Sequence, residues 1–294
     1  MPELLKSNLH FSPCMDTKQM GEARRRELRV EFDQAIELGR SAVACTERGS
    51  YTNAHGMKVD IVDQVKHAIQ SKESIPPTKV LRPRAKANNP RTVIQVINAT
   101  ALQAASHLTL QSKRPLALNF ANGIEPGGGF LIGSQAQEEV LCRSSALYAT
   151  LENDPMYAYH LSNHHYESSD WTIYSPDVPV FRNDDGTPLE NPWLCSFITC
   201  AAPYAPNVGI DRSAEILKGR IHRVLEVAHA KGYEALVLGA WGCGAFGNDP
   251  HRIALHFREA LAGPFLGYFS DVVFAITDWS PERRFLGSFR DVLK

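Results

Sequence analysis

The chain has 294 residues, 44% of them hydrophobic and 21% charged, with a formal net charge of −1. That size and apolar content suffice for one large or two small domains with a substantial core. The near-neutral balance excludes wholesale wrapping of a nucleic-acid backbone and leaves only a local basic patch for such a role.

The opening Met1-Pro-Glu-Leu-Leu-Lys lacks the apolar core of a signal peptide, and no run of about 18 apolar residues exists to cross a bilayer. Residues 18–46 read as one helix, with Leu28, Val30, Phe32, Ala35, Ile36 and Leu38 approximating an apolar stripe. The Arg24-Arg25-Arg26 run within it is flanked by Glu22 and Glu27, the pattern of a solvated face rather than of a nucleic-acid contact. Val59–Gln70 offers a second helix. Pro76-Pro77 and Pro83–Pro90 read as linker. Residues 1–75 are therefore expected to form a helical N-terminal extension, and 76–294 a layered core.

Beyond the linker, strands and helices alternate. Val93–Ile97 is a strand, Ala101–Leu110 a helix, Leu116–Phe120 a strand and Ser134–Leu151 a helix. Trp171–Tyr174 and Val178–Phe181 read as short strands before a polar loop over Arg182–Pro192. Leu194–Ala201, Ala235–Gly239 and Val272–Ile276 read as strands, with helices over Asp211–Ala230 and Pro250–Leu261. This alternation argues for an α/β layered fold. The cysteines (Cys14, Cys45, Cys142, Cys195, Cys200, Cys243) are scattered without a CxxC pair, which suits reduced thiols in a cytoplasmic or nuclear compartment.

Two segments carry chemistry. The first begins at the end of a strand with Asn119 and Asn122, passes Gly127-Gly128-Gly129 and reaches Gln137-Glu138-Glu139. Three consecutive glycines mark positive φ or close backbone approach, and a tight strand-to-helix connection is the plainer alternative. Ser134-x-x-Gln137 reads as a capping box, which would place Glu138 and Glu139 in the first helical turn. Adjacent helical side chains point about 100° apart, so the two acids would divide proton transfer and substrate holding between them.

The second segment is Gly239-Ala-Trp241-Gly242-Cys243-Gly244-Ala245-Phe246-Gly247-Asn-Asp249-Pro250, between a strand and a helix with Asp249 as N-cap and Pro250 at N1. Gly242, Gly244 and Gly247 spell GxGxxG, but fewer than fifty residues with one clear strand follow, too few to complete a dinucleotide-binding half. What remains is a set of backbone N–H groups at a helix start, suited to a diphosphate. Cys243 reads as a packing residue, without a neighbouring histidine to activate it.

GGG, seven residues, then QEE, followed by the WGCGAFG loop, resembles the poly(ADP-ribose) glycohydrolases. Pro126-GGGF, Gln137-Glu-Glu-x-Leu-x-Arg143-Ser-Ser-x-Leu-Tyr148 and Tyr174-Ser-Pro-Asp177-Val-Pro-Val-Phe181-Arg resemble their compact microbial-type branch. The resemblance implies a macrodomain-like three-layer α/β/α fold with a mixed central sheet. It implies Glu139 as catalytic acid/base and Glu138 as the group binding hydroxyls of the released ribose. By the same resemblance Asn122 contacts the distal ribose, Gln137 belongs to the substrate site, Gly127–Gly129 and Gly242–Gly247 embrace the diphosphate, and Phe246 packs on the ligand. Where relatives commonly offer an acid to adenine, this chain has Ala99, in Asn98-Ala99-Thr100.

Cleavage of a ribose–ribose O-glycosidic bond needs a proton on the departing oxygen and stabilisation of an oxocarbenium-like centre. The substrate's own phosphates would favour a protonated acid and oppose the cation's charge. No cofactor is implied, and no metal: His164-His165 are adjacent, and His251 and His256 stand at i, i+5, off the helical zinc spacing. The expected substrate is poly(ADP-ribose) or an ADP-ribosylated protein, and the product ADP-ribose, with neither membrane nor direct nucleic-acid binding. A non-catalytic ADP-ribose-binding module and a mono-ADP-ribosyl hydrolase are the alternatives. Both need the phosphate loops, but the binding module does not need two carboxylates.

Overall fold

The structure is a computed structural model that describes residues 8–82 and 89–294. The opening hexapeptide and residues 83–88 of the proline-rich stretch lie outside the described residues. The strands are β1 (Asn8–Phe11), β2 (Ser50–Thr52), β3 (Lys58–Asp60), β4 (Glu73–Ile75), β5 (Arg91–Ile97), β6 (Pro115–Ala121), β7 (Thr172–Arg182), β8 (Pro188–Ala201), β9 (Ala235–Leu238) and β10 (Asp271–Ala275). The helices are α1 (Lys18–Leu28), α2 (Phe32–Arg48), α3 (Val62–Ser71), α4 (Ala101–Leu110), α5 (Gln137–Ser144), α6 (Leu147–Leu151), α7 (Pro155–Asn163), α8 (Ala205–Val208), α9 (Ile210–Ala230), α10 (Pro250–Ala262) and α11 (Leu286–Val292).

Eight strands form a mixed sheet in the order β1-β5-β10-β9-β6-β8-β7-β4, and β2 pairs with β3 in a separate ribbon. The residues cluster into two compact units, one holding the described residues up to Gly21 with Thr78–Leu116 and Pro203–Lys294, the other Glu22–Pro77 with Ala117–Ala202. In the first unit β1, β5, β10 and β9 pair in parallel. Its core gathers Phe257, Phe274 and Phe289, with ring centroids 5.2 and 5.5 Å apart. In the second unit β7 pairs antiparallel with β8 and with β4.

The second unit is held by α2 lying close on the glycine-rich segment. Gly39 permits this, since a Cβ there would overlap the Phe130 carbonyl. Arg182 adds a cross-link: its Nη1 donates to the carbonyls of Leu38 (2.8 Å) and Arg143 (3.1 Å) and its Nη2 to Ser41 Oγ (2.9 Å). Each bond satisfies a polar group that burial would otherwise penalise.

Several elements differ from the sequence reading. The single helix over 18–46 is two helices, α1 and α2, because Glu31 is extended (φ −60°, ψ 149°) and the Val30 N–H turns to the Leu28 carbonyl (3.2 Å) and the Gln135 side chain instead of a carbonyl four residues back. The helix over 134–151 starts later and breaks at Ser145, which is extended (φ −146°, ψ 175°) while Ala146 N–H donates to the Pro179 carbonyl (3.0 Å). The two short strands merge into β7, which carries an irregularity between Ser175 and Val178 where Asp177 takes φ 48°. Half of the expected polar loop is strand, since β8 begins at Pro188. Residues below 76 also supply β1 and β4, the two ends of the strand order.

Candidate active site

β6 is apolar and buried through Leu116, Ala117 and Leu118, and it carries Asn119, wholly buried, towards its C-terminal end. Asn122 follows in the loop, and its Oδ1 accepts from the N–H groups of Ile124 (2.9 Å) and Glu125 (3.1 Å), fixing the turn. His160 of α7 supports the same loop from below, its Nδ1 donating to the Gly123 carbonyl (2.9 Å) while Nε2 accepts from Ser169 N–H (3.1 Å).

The glycine run crosses the acid pair. Gly127 and Gly128 take φ 75° and 59°. A Cβ on Gly128 would overlap Glu139 Oε1 and stand 3.1 Å from Glu138 Oε2, so only bare backbone passes there. The expected capping box is absent. α5 begins after Ala136 without a side-chain cap, and the Gln137 amide instead spans β6, donating to Leu118 O (2.8 Å) and accepting from Phe120 N–H (2.9 Å). The backbone groups towards the end of β6 out-compete the local cap.

Glu138 and Glu139 do fall in the first turn of α5, both buried, but in different settings. Glu138 is anchored at both oxygens: Oε1 accepts from Asn119 Nδ2 (3.1 Å) and Oε2 from Asn122 N–H (2.6 Å). Burial nonetheless pushes its carboxyl up to about 8, with the neighbouring Glu139 charge adding and the bonds from Asn122, Asn119 and Gly127 opposing. Glu139 Oε1 accepts from Gly129 N–H (3.0 Å), while its Oε2 is buried with no hydrogen-bond partner. One turn further on, buried Arg143 donates to Asp184 O (3.0 Å), with Nε and Nη1 unbonded.

The raised Glu138 value has a measurable consequence for stability. The folded carboxyl keeps its proton to about pH 8, whereas the unfolded one ionises near its ordinary value of 4.5. The stabilisation is therefore full below pH 4.5 and is lost as pH rises through 8, at roughly 1.4 kcal/mol per pH unit across the window. Urea unfolding at pH 5 and pH 8.5 should show the wild type losing stability relative to Glu138→Gln. A constant difference between the two proteins would mean that the carboxyl is ionised in the fold.

The second loop runs from Gly239 between β9 and α10, and Asp249 caps α10 as expected, accepting from His251 N–H (2.8 Å) and Arg252 N–H (3.4 Å). Gly242 (φ 73°) and Gly247 (φ 68°) turn the loop, and Asn248 staples it through Nδ2 to the carbonyls of Pro203 (3.0 Å) and Gly242 (3.1 Å). Gly244, Ala245 and Gly247 are exposed and Phe246 half-buried, its ring edge-on to Tyr204 at 5.8 Å. Cys243 is buried against the Trp241 carbonyl (3.5 Å), and burial pushes its thiol far up, so it supplies no thiolate. Cys243→Ser should leave the rate of turnover within about twofold, where a thiol nucleophile would lose the 10²–10⁴-fold scale of a chemical participant. Among the described residues, no three His, Cys, Asp or Glu side chains gather into a group that could hold a metal ion.

Sequence reasoning gave Asn119 no role of its own and did not name His160. An asparagine inside an apolar strand run was the only signal for the first, and nothing marked the second, because α7 itself was not anticipated. Asn98, beside Ala99, is buried and bonds Asp16 Oδ1 (2.8 Å) and the Asp278 carbonyl (2.6 Å), while Thr100 caps α4.

A buried carboxyl pair opening a helix, crossed by a glycine loop at the end of a sheet strand, is thus set on a macrodomain-like mixed α/β fold. Residues 39–183 match the model of the microbial-type PARG catalytic domain. Poly(ADP-ribose) glycohydrolase of Thermomonospora curvata superposes with a TM-score of 0.83 at 39% identity, over 88% of this chain and 99% of that one. Its complex with the inhibitor ADP-HPD gives 0.81 at 38% identity, over 88% and 99% of the two chains. The Deinococcus radiodurans enzyme in complex with ADP-ribose gives 0.75 at 39%, over 80% of this chain and 99% of that one. No curated protein sequence matches. The chain belongs to the poly(ADP-ribose) glycohydrolase family, in its microbial-type branch. It is a glycoside hydrolase with poly(ADP-ribose) as substrate and ADP-ribose as product.

Proposed function

We propose that Glu139 is the acid/base of this hydrolysis and Glu138 the group that holds the ribose being released. The observation that carries the assignment is the asymmetry of the pair: Glu138 has both oxygens bonded, while Glu139 keeps a buried, unbonded Oε2. Such an oxygen is costly unless a substrate group meets it. Glu139 would protonate the departing ribose oxygen as the bond to the anomeric carbon breaks. It would then take a proton from the water that attacks that carbon. Burial keeps a proton on the neighbouring Glu138 carboxyl to about pH 8.

Backbone N–H groups of Gly127, Gly128 and Gly129, and of Gly242, Cys243, Gly244, Ala245 and Gly247, are assigned to the diphosphate. Phe246 is assigned to packing on the ligand. Asn122 serves the distal ribose through its amide nitrogen, since its Oδ1 is spent on the turn. Gln137 acts through β6, whose end it holds in place. All these groups lie in residues 76–294, our proposed catalytic core, with 1–75 as a supporting extension.

Polymer on ADP-ribosylated proteins is the proposed physiological substrate, without direct nucleic-acid binding. A cytoplasmic or nuclear setting is supported by six free cysteines and by the lack, among the described residues, of a helix long and apolar enough to cross a membrane. The decisive assay is release of free ADP-ribose from automodified polymer. Binding without release would reduce the chain to a recognition module, and equal release from singly modified protein would place the mono-ADP-ribosyl activity beside it.

A further inference from the structure

The arginine run of α1 is not uniform. Arg24 pairs with Glu27 at 2.5 Å. Arg25, Arg26 and Arg29 are exposed, line one depression with Glu22, and make no side-chain hydrogen bond or ion pair among the described residues. Arg29 N–H still donates to the Arg25 carbonyl (3.1 Å), so the helical turn continues and Arg29 stands four residues from Arg25 and three from Arg26, within reach of both. Like charges one turn apart repel. The helix dipole favours cations at a C-terminal turn, but it does not call for three of them around the single acid Glu22.

Phe32 stands three residues beyond Arg29 and is 61% exposed. Its ring lies over the catalytic segment, where a Cβ on Gly133 would come within 2.6 Å of Phe32 Cε2. Val30, between the arginines and Phe32, is fastened to that segment at both ends: its N–H donates to Gln135 Oε1 (3.3 Å) and its carbonyl accepts from Gln135 Nε2 (3.0 Å). Gln135 precedes Glu139 by four residues. A basic face and an exposed ring are thus bolted to the chain that leads into the acids.

Guanidinium groups take phosphate oxygens in bidentate pairs, and an exposed ring offers a stacking face to a base. Three cations within one helical turn suit two adjacent phosphates better than the evenly spaced single phosphates of a nucleic-acid strand. Resting on the glycohydrolase reading above, we propose that Arg25, Arg26, Arg29 and Phe32 form a second subsite for another ADP-ribose unit of the same polymer. The arginines hold its diphosphate and Phe32 stacks on its adenine. Two linked units bound at once raise the effective concentration of the scissile bond.

The test uses the full chain with Arg25→Ala/Arg26→Ala/Arg29→Ala combined, and separately Phe32→Leu, which keeps Gly133 covered but removes the aromatic face. Long polymer should show KM raised roughly tenfold with kcat unchanged, while calorimetric affinity for single ADP-ribose stays constant. The slope of log KM against log salt should fall by about 2 for the arginine variant, as expected for three contacts to a single strand, and little for Phe32→Leu. Unchanged KM in both variants would overturn the subsite. So would a parallel loss of ADP-ribose affinity, or competition by single-stranded RNA of matched charge as strong as that by polymer. Should the wild type release no ADP-ribose, the glycohydrolase reading fails, and filter binding of polymer to the same proteins still decides the subsite.

Discussion

Glu139→Gln should bind ADP-ribose within about threefold of the wild-type affinity and release it from polymer at least 10²–10⁴ times more slowly. The substitution keeps the side-chain length and lets an amide oxygen go on accepting from Gly129 N–H, which Glu139 Oε1 does at 3.0 Å. At the unbonded Oε2 position it places an NH₂ group that cannot transfer a proton. The loss therefore falls on kcat, because what is removed acts only in the transition state. Glu138→Gln should differ, lowering rate and substrate affinity together through the loss of an anchor for ribose hydroxyls. Polymer-degradation kinetics on both purified variants separate the roles. Near-full activity in Glu139→Gln alongside an inactive Cys243→Ser would replace the glycosidase mechanism with a thiol-dependent one.

The adjacency of the acids and the glycine run before them was legible because it is covalent, and helical phase alone said that the two could not share one role. Their environments were not legible. Asn119 reaches Glu138 from within a strand, 19 residues away in sequence, and the raised Glu138 value arises from burial that no local pattern encodes. Elements with strong local signals were read closely: α4 matches its expected bounds, and α10 starts at the Asp249–Pro250 cap. Elements fixed by tertiary partners were not. β1 and β4 are four and three residues long, too short for periodicity to register, and exist because β5 and β7 offer them an edge. The false capping box has the same origin, since Gln137 obeys the chemistry of a cap but finds the backbone of β6 first.

Gly128→Val and Gly244→Val should both weaken ADP-ribose binding by more than tenfold, for opposite physical reasons. At Gly128, φ is 59°, and a β-branched side chain is strained there before any ligand arrives, at a cost of about 1–3 kcal/mol. Its Cβ would also overlap Glu139 Oε1 and crowd Glu138 Oε2 at 3.1 Å, so the carboxylates must move and turnover should collapse even at saturating substrate. Displacements of this size from productive geometry are enough to lose about 10²-fold in rate. Gly244 has no atom within 4 Å of an added Cβ and no positive φ, so valine fits the empty protein and its melting temperature should stay near wild type. Any loss of affinity there reports a side chain standing where the ligand belongs, not a damaged fold. Thermal unfolding paired with ADP-ribose calorimetry reads the two effects apart. If Gly244→Val binds normally while Gly128→Val melts early and binds poorly, the WGCGAFG loop is structural, and the phosphate contacts rest on the first glycine run alone.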